Sequence, residues 1–196
     1  MQKGQYLETI LRSPKTVFTF EDMALLWGEP STQAVRVRLS YYVQRGKLHR
    51  IRRGLYAKDK NYNKLELATR IYPPSYVSFE TILAQEGLIF QFHAQISVAS
   101  YLTREIEVDG QAYSFRKIKT PVLANLMGVE NRNETSFATR ERAFLDTLYL
   151  HGNYYFDNLD SLDWNKVFDM LPIYQNQSMA RRVRRLYKQV ARSGEE

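Results

Sequence analysis

Apolar positions in residues 31–44 recur with the period of a helix. At about 100° per residue, Val35, Leu39, Tyr42 and Val43 fall on one stripe that is wide enough to face a core. The opposite face has an arginine, two amides, a hydroxyl, a valine and no acid; it consists of Gln33, Arg36, Val37, Ser40 and Gln44. The pattern predicts a helix with an unusual solvent face, in which Ser31 and Thr32 supply capping hydroxyls at the start.

The period changes from helical to strand-like after Gly46, which is expected to end this helix. Residues 48–56 are short and β-prone and turn at Gly54, so they predict a two-stranded hairpin. Four basic residues lie within seven positions of this segment: Lys47, Arg50, Arg52 and Arg53. A helix followed by a basic hairpin indicates the recognition helix and wing of a winged helix-turn-helix.

The residues before this pair predict two more helices. The first covers residues 5–11, and the second follows Thr19, an expected N-cap with Asp22 at the capping-box position. The predicted order of helix, helix, turn, helix and wing fills residues 5–57 completely. The alternative interpretation is a solvated basic hairpin that follows an ordinary amphipathic helix.

The rest of the chain alternates between helical and strand patterns. The clearest β signal is the Asp109-Gly110 pair between two alternating runs, which predicts a hairpin over residues 105–116. Further strands are predicted at 76–79 and 95–100, and further helices at 64–71, 80–86, 139–150, 164–171 and 178–192. The predicted fold class is therefore α+β: a winged helix-turn-helix at 1–58, a linker at 59–63, and a mixed α/β domain at 64–196 with a small sheet and a helical C-terminal third.

The charge of the chain is concentrated in its first part. Residues 1–58 contain 11 Lys and Arg against four Asp and Glu, whereas the remaining residues contain 17 of each kind. The whole net charge of +7 therefore belongs to the segment that already resembles a DNA reader. Such an excess is what binding to a phosphate backbone requires.

The expected DNA contacts divide into two groups. In a major groove, arginine reads guanine, glutamine reads adenine and valine meets the thymine methyl, so base reading is assigned to Gln33, Arg36, Val37 and Ser40. Contacts to the backbone or the minor groove are assigned to Ser31, Thr32, Gln44, Lys47, Arg50, Arg52 and Arg53. Arg38 lies near the edge of the core stripe, where pairing with an acid of the preceding helix is the alternative.

The last helix is also strongly basic. Its apolar positions recur with helical spacing, while the other positions hold Arg181, Arg182, Arg184, Arg185 and Lys188. One interpretation is a helix docked by its apolar stripe, with basic residues that serve solubility and the helix dipole. The other is a second nucleic-acid surface that contacts DNA or an RNA.

An enzyme is the rival class, but the acidic residues suggest other roles. Glu105, Glu107 and Asp109 fit the solvent side of a hairpin, and among Asp157, Asp160 and Asp163 a helix cap is the favoured role. The sequence has no cysteine, no glycine-rich phosphate loop and no paired histidines. We therefore expect no catalysis, no metal and no cofactor. Without a long apolar run or a signal-peptide pattern, a cytoplasmic protein without membrane contact is expected.

Several of these segments resemble one known family in their order. Residues 45–57, RGKLHRIRRGLYA, resemble the wing of the AbiEi antitoxins of abortive-infection (type IV) toxin-antitoxin systems. Residues 74–83, PSYVSFETIL, resemble that family's entry into its second domain, and 96–99, ISVA, its next strand. Residues 138–146, ATRERAFLD, resemble the helix that follows its sheet. The resemblance covers roughly residues 5–150.

The resemblance implies more than the residues do. It implies a repressor that binds inverted repeats of double-stranded DNA upstream of its own operon and counters a nucleotidyltransferase-like toxin without a stable complex. The C-terminal domain is implicated in that neutralising role. The residues themselves support only the DNA-binding half, so the alternatives are a solitary regulator without a toxin, or an RNA-binding or protein-interaction module.

Overall fold

The computed structural model describes residues 5–30, 32–91 and 93–193 of this chain. It is a mixed α+β protein, which confirms the predicted fold class at that level. The chain divides into two compact units, an N-terminal unit of residues 1–71 and a C-terminal unit of residues 72–196. Among the helices of the described ranges, none is long and apolar enough to cross a membrane.

The N-terminal unit combines helices with a small antiparallel sheet. Its elements are α1 (Gln5–Arg12), β1 (Val17–Thr19), α2 (Phe20–Trp27), α3 (Thr32–Gln44), β2 (His49–Arg52), β3 (Leu55–Ala57) and α4 (Lys64–Ile71). Within the described residues, the three strands pair in the order β1-β3-β2. The sequence predicted these helices and the hairpin but missed β1, because its three residues acquire their strand character only by pairing with β3.

Local sequence signals determine where α2 begins and where α2 and α3 end. The predicted capping box is present: Thr19 Oγ1 accepts from the Asp22 backbone N–H at 3.1 Å, and the Asp22 carboxylate accepts from the Thr19 N–H at 2.8 Å. Gly28 and Gly46 follow the two helices with φ of 58° and 64°, where a side chain would be strained. The turn between the two helices and the turn before the hairpin are therefore set by glycine.

The core of this unit lies between its first three helices and the sheet. Its buried residues are Ile10, Phe18, Met23, Trp27, Val35, Leu39, Tyr42 and Leu48. They include three of the four residues predicted as the core stripe of α3, and the fourth, Val43, is half-buried against the same cluster. Burial of this stripe sets the rotation of α3 about its own axis, and so determines which residues point outward.

The division between the units differs from the predicted one. The expected linker, 59–63, lies inside the N-terminal unit, and Tyr62 within it is buried. Helix α4 belongs to this unit because the buried Glu66 carboxylate accepts from both the N–H and the hydroxyl of Thr16, at 2.9 and 2.6 Å. Arg70 connects the same helix to Asp22 at 3.0 Å. These polar contacts join α4 to residues near the start of the chain. The boundary between the two units therefore lies after α4, at Ile71.

The C-terminal unit is built on a mixed sheet with helices. Its strands are β4 (Ser75–Val77), β5 (Ile96–Ser100), β6 (Arg104–Val108), β7 (Gln111–Lys117), β8 (Val129–Arg132) and β9 (Thr135–Ala138). Its helices are α5 (Glu80–Gln85), α6 (Thr120–Ala124), α7 (Arg140–Leu150), α8 (Trp164–Met170), a 3-10 turn (Leu171–Tyr174) and α9 (Gln177–Ser193).

The sheet is larger than the small sheet that the sequence predicts. Within the described ranges it has six strands in the order β6-β7-β5-β4-β9-β8, with parallel pairing of β5 to β7 and of β4 to β9. The predicted Asp109-Gly110 hairpin is confirmed, and both turn residues have positive φ. The sequence missed α6 and the β8–β9 hairpin, whose edge strand is largely exposed and shows no apolar alternation.

A buried ion pair connects the helices of this unit to its sheet. Arg142 and Asp146 on α7 are fully buried, with Arg142 Nε 3.2 Å from Asp146 Oδ1. The other guanidinium donors reach Tyr76 Oη and the backbone carbonyls of Val122, Asn125 and Met127. The carboxylate also accepts from the hydroxyls of Tyr76, Ser78 and Tyr174, at 2.7 to 2.9 Å. Burial raises the pKa of the Asp146 carboxyl above its usual value, and these donors oppose that rise.

Two glycines of this unit allow a matched stability test. Gly110 and Gly128 both have φ near 74°, but a Cβ at Gly128 would overlap Sδ of Met170 and lie 3.0 Å from Cβ of Arg142, whereas a Cβ at Gly110 meets open space. Gly110→Ala should lower the free energy of unfolding by about 1–2 kcal/mol, because alanine is strained at positive φ. Gly128→Ala should lower it by that amount and by about 1–3 kcal/mol more, because the added Cβ overpacks the site. Denaturant unfolding monitored by tryptophan fluorescence measures both free energies, and equal losses would contradict the crowding at Gly128.

Candidate nucleic-acid interface

The outer face of α3 is exposed as its period predicts. Gln33, Arg36, Val37, Ser40 and Gln44 are all exposed, and Val37 keeps 60% of its surface open to solvent. No acidic residue lies on this helix. The helix therefore presents a guanidinium, amides, a hydroxyl and an unburied methyl pair side by side. This is the set of groups that can distinguish base edges in a major groove.

The start of α3 is only partly described. Thr32 is exposed and is the first residue of the helix, while Ser31 lies outside the described residues, so its predicted capping role stays a prediction. The helix ends as predicted, with the Gly46 N–H donating to the Val43 carbonyl and the Lys47 N–H to the Tyr42 carbonyl. These bonds fix the path of the chain from the helix into the hairpin.

Arg38 has a structural position and does not belong to the outer face. Its guanidinium lies 3.6 Å from the ring centre of Tyr6 and 5.3 Å from that of Trp27. Its Nη1 is 3.7 Å from a carboxylate oxygen of Glu29, which comes just after α2. The predicted alternative named an acid of the preceding helix, whereas the acid that Arg38 approaches comes just after the end of that helix. The contact joins α3 to α1 and to the end of α2.

Two other arginines lie over aromatic rings but keep their side chains exposed. Arg36 Cζ is 5.8 Å from the ring centre of Phe20, and Arg45 Cζ is 5.6 Å from that of Tyr41. The sequence did not single out Phe20 or Arg45 for the interface. Phe20 lies far from Arg36 in sequence, so no periodicity could connect them. Tyr41 and Arg45 are four residues apart, a spacing that brings side chains together on a helix and could have indicated this pair.

The basic hairpin has an irregular register. Strands β2 and β3 pair from His49 opposite Ala57, and the register shifts by one residue between Arg50 and Arg52. Gly54 has φ of 82° and forms the tip together with Arg53. Lys47, Arg50 and Arg53 are exposed, whereas Arg52 is half-buried and makes intramolecular contacts. Arg50 and Arg53 are thus the hairpin cations that a nucleic acid can reach most freely.

Positive charge runs without interruption through α3 and the hairpin. Residues 32–58 contain eight Lys and Arg and no Asp or Glu. Glu29, which engages Arg38, comes before this segment, so no carboxylate of α3 or of the hairpin offsets its cations. A polyanion would therefore meet a positive potential from both elements.

Helix α9 carries the second basic surface. Met179 and Val183 are fully buried, and Tyr187 packs on Trp164 and Phe168 with ring centres 5.2 and 5.3 Å apart. Four of the five predicted cations are exposed: Arg181, Arg184, Arg185 and Lys188. By helical geometry these four lie opposite the buried residues, within an arc of about 100°. They form one basic stripe along the helix.

Arg182 does not belong to that stripe. It is half-buried, and its guanidinium occupies the space at Gly152 that a Cβ would otherwise fill. Gly152 follows His151, the C-cap of α7, where the backbone carbonyls carry partial negative charge. The sequence grouped Arg182 with its neighbours because its packing against a distant glycine has no local signal.

The acidic groups considered for chemistry lie on a hairpin and at a helix cap. Glu105 and Glu107 are exposed on β6, and Asp109 lies in the turn that follows. Asp163 caps α8 by accepting from the N–H groups of Asn165 and Lys166, as the sequence favoured. In the ranges that the structure describes, no group of three or more histidine and carboxylate side chains is placed to hold a metal ion.

Comparison of the sequence with models of known protein families finds no match, and comparison with curated proteins finds none either.

Proposed function

We propose that residues 5–57 form a winged helix-turn-helix that binds double-stranded DNA, and that the chain is a sequence-specific transcriptional repressor. The observation that carries this proposal is the outer face of α3, where arginine, amide, hydroxyl and methyl groups lie exposed together without an acid. A solvent face on an ordinary surface helix usually mixes charges of both signs. This face has instead the composition of a base-reading surface.

The arrangement of the N-terminal unit supports the same proposal. Helices α2 and α3 are joined by a short turn, and α3 leads through Gly46 into a basic hairpin. In proteins of this class, the second helix of such a pair enters the major groove. The hairpin then grips the flanking backbone or minor groove through Lys47, Arg50 and Arg53, with a smaller contribution from the half-buried Arg52.

The resemblance to AbiEi antitoxins extends the proposal to a biological role. In that role the repressor autoregulates a cytoplasmic toxin-antitoxin operon and counters a nucleotidyltransferase-like toxin. The C-terminal unit would supply the antitoxin activity and carry no catalysis of its own. Its most deeply buried charges support a structural role, since Arg142 and Asp146 satisfy each other and are closed to solvent. A solitary regulator without a toxin is the alternative, and a neighbouring toxin gene would decide between them.

The basic stripe of α9 supports a second contact with DNA. Four exposed cations on one face of a helix, with no acid on the helix, suit a phosphate backbone better than they suit packing. The aromatic residue of α9, Tyr187, has its ring packed on Trp164 and Phe168, which leaves less of the ring for an unpaired base to stack on. We therefore assign the stripe to duplex DNA and not to single-stranded RNA.

A binding assay tests the central proposal. The full chain should prefer the DNA upstream of its own reading frame over random DNA of equal length by about 10³-fold or more at physiological salt. The measurement is fluorescence anisotropy at several salt concentrations. Equal binding to both duplexes at every salt concentration would contradict a sequence-specific repressor.

Two single substitutions should separate contacts to the bases from contacts to the DNA backbone. Arg36→Ala removes a bidentate base contact, so it should reduce the preference for the upstream fragment by about 5- to 150-fold and leave random DNA nearly unaffected. Arg53→Ala should weaken both duplexes alike and lower the salt slope by about 1. The same assay measures both variants. If Arg53→Ala lost the preference for the upstream fragment and Arg36→Ala kept it, Arg53 would be the base-reading residue and Arg36 the backbone contact.

A third comparison tests α9. Substitution of Arg181, Arg184, Arg185 and Lys188 by alanine should weaken binding to both duplexes and lower the salt slope by about 0.9 for each phosphate that the helix no longer neutralises. A control of equal charge change removes four exposed cations elsewhere in the C-terminal unit: Lys117, Lys119, Arg132 and Lys166. If both variants lose the same affinity, the effect is one of net charge and α9 is not a contact surface.

A further inference from the structure

Arginine reads a base well only when its guanidinium plane is held in the right orientation. The side chain is long, and an exposed arginine samples many rotamers. Binding restricts it to one of them, which costs conformational entropy. A recognition helix therefore gains discrimination when a neighbouring group restricts its arginine before DNA arrives. Arg36 is the residue for which this matters most, because it is the only arginine on the outer face of α3.

The structure places an aromatic ring beneath the Arg36 guanidinium. Arg36 Cζ is 5.8 Å from the centre of the Phe20 ring, within the range of a cation–π contact. Arg36 itself is exposed, so its donors stay open to a ligand while the guanidinium lies over the ring. An ion pair would instead occupy the same N–H groups that guanine needs.

The position of the Phe20 ring is fixed by the structure around it. Phe20 is the first residue of α2, directly after the Thr19 cap, and the reciprocal Thr19–Asp22 hydrogen bonds fix this end of the helix. The ring is half-buried and packs against the core cluster that also contains the inner face of α3. The support and the helix that bears Arg36 are therefore parts of one packed body.

Arg38 lies in a different environment from Arg36 and is less accessible to solvent. Arg38 lies against the rings of Tyr6 and Trp27 and forms a 3.7 Å ion pair with Glu29, and its side chain keeps only 22% of its surface exposed. Arg36 has a ring on one side and solvent on the other. The two arginines stand two positions apart on α3, but only Arg36 is both restrained and accessible.

We infer that Phe20 is a positioning residue that holds the Arg36 guanidinium for base reading and thereby sharpens sequence discrimination, although Phe20 itself reads no base. The inference rests on the proposed DNA-binding function and adds a specificity determinant outside α3. It assigns to the first turn of α2 a role in selecting the operator, in addition to its role in packing.

The experiment uses the full chain and a duplex selected from a random pool by the wild-type protein. Phe20→Leu keeps an apolar side chain against the core but removes the ring, and Phe20→Tyr keeps the ring. Phe20→Leu should reduce the preference for the selected duplex over random DNA by about 2- to 5-fold, the range expected for an exposed cation–π contact. Phe20→Tyr should retain the wild-type preference, and binding to random DNA should be the same for all three proteins.

A double-mutant cycle separates positioning from a general loss of stability. In an Arg36→Ala background, Phe20→Leu should cause no further loss of preference, because the group that the ring positions is absent. An equal loss with and without Arg36 would show that Phe20 acts through packing alone and would overturn the inference. Wild-type preference that survives Phe20→Leu unchanged would overturn it too, while leaving the proposed function intact.

An NMR measurement tests the contact without DNA. The Nε–Hε signal of Arg36 should show a ring-current shift that is absent in Phe20→Leu and retained in Phe20→Tyr, while the Arg38 signal stays unchanged in both. An Arg36 signal that does not respond to removal of the ring would overturn the inference. A wild-type chain that selects no duplex would overturn the inference and the proposed function together, and so differs from the outcomes above.

Discussion

A charge removed from water must find all its partners inside the protein, and the C-terminal unit is arranged around one such charge. The guanidinium of Arg142 donates to a carboxylate, a phenol and three backbone carbonyls, and these belong to α7, β4, α6 and the loop after α6. Loss of any one partner would leave a buried donor unsatisfied, which costs more than the bond contributes when it is made. The positions of these elements relative to one another are therefore specified by hydrogen-bond geometry as well as by apolar packing.

The two units use arginine in opposite ways. The C-terminal unit buries Arg142 in an ion pair with Asp146, so that its guanidinium is closed to solvent. The N-terminal unit leaves Arg36 and Arg45 exposed over aromatic rings, which restrain the guanidinium without neutralising it. Arg38 is intermediate, with two rings and one weakly paired carboxylate. An arginine over a ring keeps its charge available for a polyanion, and this is the state that a nucleic-acid interface requires.

Local signals in the sequence predicted most helices, the basic hairpin and the Asp109-Gly110 turn, because each depends on residues close together in the chain. The same signals missed β1, which pairs with the distant strand β3, and the β8–β9 hairpin, whose edge strand β8 is largely exposed and whose other strand pairs with the distant strand β4. For the candidate site, the period of α3 predicted which residues are exposed. It could not separate Arg182 from its neighbours or connect Arg36 to Phe20, since both depend on contacts between remote segments. The class of DNA reader and the family stay predictions, as their evidence is chemical composition and resemblance.

The buried Glu66 of α4 has a consequence for how this protein can be divided. Its carboxylate accepts two hydrogen bonds from Thr16, just before β1, and one from Arg70, which also reaches the capping acid of α2. A fragment cut at the end of the hairpin would lose that carboxylate and leave the Thr16 donors and the Asp22 side chain without these partners. The smallest transferable module is therefore residues 5–71 and not the shorter segment that carries the expected DNA contacts. A domain swap would have to be joined after Ile71, so that the contacts of α4 with Thr16 and Asp22 are kept.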